Sequence, residues 1–241
     1  MKEEQIQALR ENRSYVIRQM RMSPHQKEAY RRLEPIYCVP VATEEEKREP
    51  LDLERVFPLR GRSGAPRRFV IDIGFGMGRE LAQLAEQEPE TDFLGVEVHK
   101  PGVGRLLGLL EQRQLSNVRV IRYDAVVVLH QLVPPGSADG VHLFFPDPWP
   151  KKRHHKRRLV RPGFPELVAR VLRPGGYLYA VTDWEDYAEQ MLEVLNASPE
   201  LQNRYSDYAP PQAWRPQTAF ETKGLAKGHS IRELVFQRPP R

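Results

Sequence analysis

The sequence predicts an α/β fold, a mostly parallel sheet with helices on both faces, and three observations carry that expectation. From Arg67 onward, short apolar runs alternate with longer segments of helical spacing. The apolar runs are nearly continuous, as in strands covered on both sides. The chain has 241 residues, 40% hydrophobic and 29% charged, which suits one large domain or one domain with an arm.

Residues 1–65 read differently from the rest. Arg10, Arg13, Arg18, Arg21, Arg31 and Arg32 stand among few apolar residues, and the acidic stretch TEEEKREP follows. GRSGAP at 61–66 is turn-rich. This predicts a basic N-terminal arm and linker over 1–65, an arm or short helices free to move until a partner binds, and a folded domain over 66–241. In that domain RFVIDIG (68–74) is a buried strand, RELAQLAEQE (79–88) a helix and DFLGVEV (92–98) a strand. GVGRLLGLLEQRQ (102–114) is a helix weakened by its glycines, VRVIRYD (118–124) a strand, AVVVLHQLV (125–133) a helix and GVHLFF (140–145) a strand. GFPELVARVLRPGG reads as a helix closed by a Pro-Gly-Gly turn. YLYAVTD (177–183) is then a strand, YAEQMLEVLN (187–196) a helix and IRELVFQR (231–238) a last strand.

The net charge is +5, but it is unevenly spread. Between Asp147 and Arg173 nine Lys/Arg face two acids, so the remainder of the chain is net negative. One concentrated basic patch predicts a polyanion docking at one place. The single cysteine, Cys38, excludes an intrachain disulfide and a cysteine zinc cluster, and fits a reducing compartment. The N-terminus MKEEQIQALR lacks the apolar core of a signal peptide, and no stretch reaches the roughly 18 apolar residues of a membrane span. A cytoplasmic protein with no membrane partner is the expectation.

The segment VIDIGFGMGRE follows a strand and opens a helix, with Gly74, Gly76 and Gly78 at alternate positions. Glycines permit a tight turn and close approach of a ligand to the backbone. A pyrophosphate site of the G-x-G-x-x-G kind would want glycine where this chain has Arg79. S-adenosylmethionine, which carries no phosphate, fits better. A plain strand–helix turn would also produce such a triplet. Three acids sharpen the reading. Glu97 ends the second strand and suits both hydroxyls of a ribose. Asp124 ends the third and suits an adenine amino group, or caps the next helix. Asp72, at the first strand end, suits the ammonium of the methionine part.

The fourth strand runs into Pro146-Asp147-Pro148-Trp149. The prolines fix φ around Asp147 and hold it at the carboxyl edge of the sheet, with Trp149 able to stack on a base. Residues 151–158 then carry six Lys/Arg and two His, suited to the phosphates of a polyanion. Adjacent His154 and His155, with no Cys near them in sequence, do not make a metal site, and no metal is expected.

DIGFGMG, FFPDPWPKKRHHKRRLVRP, TDWEDYAEQML and TAFETKG, with the N-terminal RSYVIRQMRMSPHQKEAY, resemble the motifs of the bacterial tRNA (guanine-N7-)-methyltransferase family, in order and over nearly the whole chain. The resemblance implies a Rossmann-like class I methyltransferase domain over 66–241. It implies methyl transfer from S-adenosylmethionine to N7 of a guanine in the tRNA variable loop. It implies cofactor binding by Asp72, Gly74, Gly76, Gly78, Glu97, Asp124 and Asp147, with Asp147 as the active-site acid. Contacts to RNA or guanine fall to Lys151, Asp183, Thr218, Ala219, Phe220 and Glu221. The family usually has Glu at the position of Asp72 and often His at that of Pro150. A nicotinamide oxidoreductase on the same fold and a non-catalytic RNA-binding module are the rival readings. Arg79 argues against the first and the intact strand-end acids against the second.

Overall fold

A computed structural model describes residues 3–16, 21–60, 66–226 and 228–240, with the backbone alone for residues 3, 46, 219, 220 and 223. Arg18 and all but Pro66 of the linker expected at 61–66 lie outside the described residues. The strands are β1 (Arg68–Ile73), β2 (Thr91–Val96), β3 (Val118–Ile121), β4 (Ala138–Phe144), β5 (Leu172–Thr182), β6 (Gln202–Asn203) and β7 (Arg232–Gln237). They form a seven-stranded, mostly parallel sheet in the order β3-β2-β1-β4-β5-β7-β6. The chain divides into two compact units, residues 17–134 and residues 1–16 with 135–241. Of the stretch 1–65, helix α1 (Glu3–Glu11) falls in the second unit, and α2 (Pro24–Tyr37) and α3 (Leu53–Val56) in the first.

In the unit 17–134, β1, β2 and β3 run parallel, with Ile73 opposite Val96 and Val96 opposite Ile121. Their carboxyl ends are therefore level. The ladder runs one residue further, from Gly74 N to Val96 O (2.8 Å) and from Glu97 N to Ile121 O (3.1 Å). Helix α4 (Arg79–Gln87) buries Leu81, Ala82, Leu84 and Ala85 on one stripe. Cutting Leu81 to Ala would cost about 2–5 kcal/mol, because the side chain is wholly buried. Helix α5 (Lys100–Gln112) packs on α2, and its glycines explain how closely. A Cβ on Gly104 would stand 2.8 Å from the Gln26 carbonyl oxygen. The glycines that lower the helical propensity of α5 are thus what lets α2 approach. Helix α2 starts on a capping box, Gln26 N donating to Ser23 Oγ and Ser23 N to Gln26 Oε1. The Cys38 thiol is half-buried, and burial pushes its pKa up to about 12, as an inert structural thiol requires.

In the second unit, β4 and β5 are parallel, while β7 runs antiparallel to both β5 and β6. The Pro-Gly-Gly turn expected after α7 (Phe164–Val171) is instead a bulge within β5. Ala138 pairs with Leu172 and Gly140 already with Tyr177. The bulge keeps its hydrogen bonds, Gly175 N donating to Arg238 O and Arg238 N to Gly176 O, and Gly175 takes φ +79°. The two-residue β6 has no apolar alternation by which a sequence reading would find it. Helix α1 buries Ile6 and Leu9 and receives Arg161 Nη2 on the Ala8 carbonyl at 2.8 Å. Helix α8 (Glu185–Asn196) buries Tyr187, whose hydroxyl accepts from Val160 N.

Candidate active site

The level strand ends of the unit 17–134 gather every predicted cofactor residue except Asp147. All three glycines of the loop lie in the left-handed region, Gly74 at φ +73°, Gly76 at +56° and Gly78 at +72°. Their surroundings differ. No atom lies within 4 Å of where a Cβ on Gly74 or Gly76 would stand, so that backbone is open to a ligand. At Gly78 a Cβ would meet Leu106 Cβ at 2.6 Å. Gly78 therefore serves the packing of α4 on α5.

Asp72, near the end of β1, is 3% exposed. Burial, then the charges of Glu80 and Glu97, push its pKa up to about 7. A buried acid at that value suits a cationic partner. Glu97, just past β2, is held by three backbone donors. Gly76 N donates to Oε2 (2.9 Å), and Val98 N (2.7 Å) and His99 N (2.9 Å) to Oε1. Burial raises its pKa, against the pull of those three N–H groups. A carboxylate offers about four acceptor sites, so one remains, on Oε2. The three bonds make Glu97 a clamp on the glycine loop. Asp124 caps the short helix α6 (Ala125–Val127), with Oδ1 accepting from Val126 N at 2.8 Å. Both roles considered for it are compatible, since the cap engages one oxygen.

In the second unit Asp147 is exposed at the tip of its turn. The prolines are not alone in shaping that turn. Phe145 and Trp149 take φ +52° and +47°, a conformation costly for bulky residues. It persists because its neighbours hold it. Phe145 N donates to Val181 O, Arg158 Nε to Pro148 O (2.8 Å) and Trp149 Nε1 to Ser14 O (3.0 Å). The Trp149 ring carries the Arg157 guanidinium 4.1 Å from its centroid and the edge of His154. The chain itself packs the indole that the sequence suggests for a base.

The basic run divides in the same way. Residues 152–157 form a 3-10 helix. Lys151, Lys152, Arg153 and Lys156 are exposed. Arg157 donates to the carbonyls of Arg13 (3.0 Å) and Tyr15 (2.8 Å). Arg158 is 1% exposed and binds Asp186, Gln190 and the Pro148 carbonyl. Arg157 and Arg158, counted on sequence grounds among the phosphate contacts, instead hold the N-terminal segment and the turn. Burial and the surrounding cations lower the pKa of His154.

Asp183, just past β5, lines a cavity of about 550 Å³ with Trp184, Gly228 and His229. His229 Nδ1 lies 3.3 Å from Asp183 Oδ2. Thr218 and Glu221 open helix α9 (Ala219–Ala226) as a capping box, Glu221 N donating to Thr218 Oγ1 (2.9 Å) and Thr218 N to Glu221 Oε2 (3.4 Å). The spacing T-x-x-E carried that signal in the sequence. Glu221 is also gripped by Arg215, Nη1 to Oε2 at 2.6 Å and Nη2 to Oε1 at 3.0 Å, and is largely buried. Both of its oxygens thus face a guanidinium. The side chains of Ala219 and Phe220 lie outside the described residues. Arg215, Glu233, Tyr179 and His229 were not found from sequence, because nothing local marks a residue whose partners lie on distant strands.

The family model described as putative methyltransferase matches residues 66–234. The chain is 50% identical over 230 residues to the tRNA (guanine-N(7)-)-methyltransferase of Burkholderia pseudomallei, covering 95% of this chain and 83% of that one. The protein of the same description from Nitrosomonas europaea is 48% identical over 226 residues, covering 94% and 96%. The chain belongs to the tRNA (guanine-N7-)-methyltransferase family. Among solved structures, the 16S rRNA methyltransferase KamB matches with a TM-score of 0.57 at 16% identity, covering 80% of this chain and 95% of that one. The aminoglycoside-resistance methyltransferase NpmB1 matches with a TM-score of 0.53 at 17% identity, covering 83% and 95%. At such identities these two bear on the fold alone, and that fold is the Rossmann-like class I methyltransferase fold. As a member of the family, the chain takes S-adenosylmethionine as its methyl donor. No helix among the described residues is long and apolar enough to cross a membrane.

Proposed function

We propose that this chain transfers the methyl group of S-adenosylmethionine to N7 of a guanine in tRNA, the variable loop being the site that its sequence motifs imply. The observation that carries the reading is the meeting, on level strand ends, of an open left-handed glycine backbone, a buried acid and a backbone-clamped glutamate. The residues present fit the cofactor. Asp72 holds the ammonium, Glu97 one ribose hydroxyl, Asp124 the adenine amino group, and Gly74 and Gly76 leave room for the chain between. When bound, the cofactor supplies a methyl group made electrophilic by its sulfonium.

Guanine N7 has a lone pair and no proton, so no general base is required. The work of the protein is alignment. Asp183 accepts from the N1–H and N2–H₂ edge of guanine, which adenine lacks, and so selects the base. Asp147 offsets the positive charge that guanine gains as N7 is methylated. Lys151, Lys152, Arg153 and Lys156 neutralise phosphates. Incubation with methyl-labelled S-adenosylmethionine and total tRNA, followed by nucleoside analysis, is the test. Label in 7-methylguanosine is expected, and label in another nucleoside would replace this reading.

A further inference from the structure

We infer that Arg215 is a positioning residue for guanine recognition: it pins helix α9 to the sheet and, through α9, sets where the Asp183 carboxylate stands. The inference rests on the reading of Asp183 as the guanine-edge acceptor.

The first link is a buried polar network. The Arg215 side chain is 4% exposed and sits between the Glu221 and Glu233 carboxylates, themselves 12% and 2% exposed. Its fork takes Glu221 through two bonds, while Nη2 also reaches Glu233 Oε1 at 2.7 Å and Nε the Tyr179 hydroxyl at 3.0 Å. Tyr179 in turn donates to Glu233. Tyr179 stands on β5 and Glu233 on β7, strands paired through Val181 and Glu233. Glu221 stands in the first turn of α9. One guanidinium thus joins two sheet strands to the start of this helix. Lysine cannot replace it, since a point charge cannot meet Glu221 in a planar fork and Glu233 and Tyr179 together.

The second link runs from α9 to Asp183. Gly224, one turn beyond Glu221, abuts that acid, and a Cβ there would stand 2.9 Å from Asp183 Oδ2 and 3.2 Å from Asp183 Cβ. His229, just after the helix, meets the same oxygen. The helix is therefore the wall against which Asp183 rests, and only glycine leaves the carboxylate its present place. Glu221 is the handle by which Arg215 holds the helix.

The test compares wild type, Arg215→Lys and Gly224→Ala in the full chain. It measures single-turnover formation of 7-methylguanosine at saturating tRNA and cofactor, S-adenosylmethionine affinity by calorimetry, and thermal stability. Arg215→Lys is expected to slow methylation by on the order of tenfold to a hundredfold, the effect of misplacing a recognition group by a fraction of an ångström to an ångström. Cofactor affinity should not move, since its residues belong to the other unit. Gly224→Ala separates position from stability. Alanine favours helix over glycine, so the fold should hold while the rate still falls. A wild-type rate in folded Arg215→Lys, or in Gly224→Ala, would overturn the inference. If Arg215→Lys does not fold, Gly224→Ala decides alone. Wild-type protein that forms no 7-methylguanosine would instead remove the functional reading, and this inference with it.

Discussion

The glycine loop and the Pro-Asp-Pro-Trp turn both follow a parallel strand, and both bend the chain through left-handed backbone. At the first, residues 74, 76 and 78 are glycines, which adopt that region freely. At the second, the left-handed residues are Phe145 and Trp149, which do so at a cost of order 1–3 kcal/mol each. The first bend is a local property of its residues. The second is imposed by its surroundings, through Arg158 on the Pro148 carbonyl and Ser14 on the Trp149 indole. The bend proposed to receive the cofactor is thus written into its own residues, while the turn that carries Asp147 is held by the Arg158 side chain and the Ser14 carbonyl.

Four experiments can break or sharpen that contrast. The largest effect belongs to the turn. Asp147→Asn keeps its shape and loses the charge, so single-turnover methylation should fall by about 10²–10³ with an unchanged circular dichroism spectrum. A near-normal rate would remove Asp147 from the chemistry. Next comes the split of the basic run. Replacing Lys152, Arg153 and Lys156 by Ala should flatten the dependence of log affinity for tRNA on log salt by roughly 2–3 units if all three meet phosphate. Arg158→Lys should leave that slope alone and slow methylation, because it loosens the turn. Equal slopes in the triple variant would move the RNA-binding face elsewhere.

On the loop side, Glu97→Ala should weaken S-adenosylmethionine by more than about tenfold, from a lost charged hydrogen bond of about 1.5–3 kcal/mol, with tRNA affinity intact. Calorimetry showing no change would free Glu97 from the site. The smallest effect is that of pH on Asp72. Its folded pKa of about 7 lies above the ordinary value of 3.8, so the folded chain binds this proton more tightly than the unfolded one. Asp72 therefore subtracts stability as pH rises from about 4 to about 7, and cofactor affinity climbs over the upper part of that range as the acid ionises. Melting curves from pH 5 to 8 should show Asp72→Asn less sensitive to pH than wild type. Parallel curves would mean that Asp72 titrates at its ordinary value.

The strands β1 to β5 and β7, the helices between them and the level row of Asp72, Glu97 and Asp124 were legible because apolar period and glycine placement are local signals. So was the capping box of Thr218 and Glu221, had its spacing been preferred to the family role. What the sequence by itself determined is the alternation of strand and helix, the glycine bend and the concentration of positive charge after Trp149. Only the tertiary structure decided which of those charges face water. Lys152 and Arg158 are near neighbours in one basic run, yet one is exposed and the other buried against Asp186. The physical reason is that a charge is buried only where a partner meets it, and the partners of Arg158 and Arg215 come from elements that folding alone brings near.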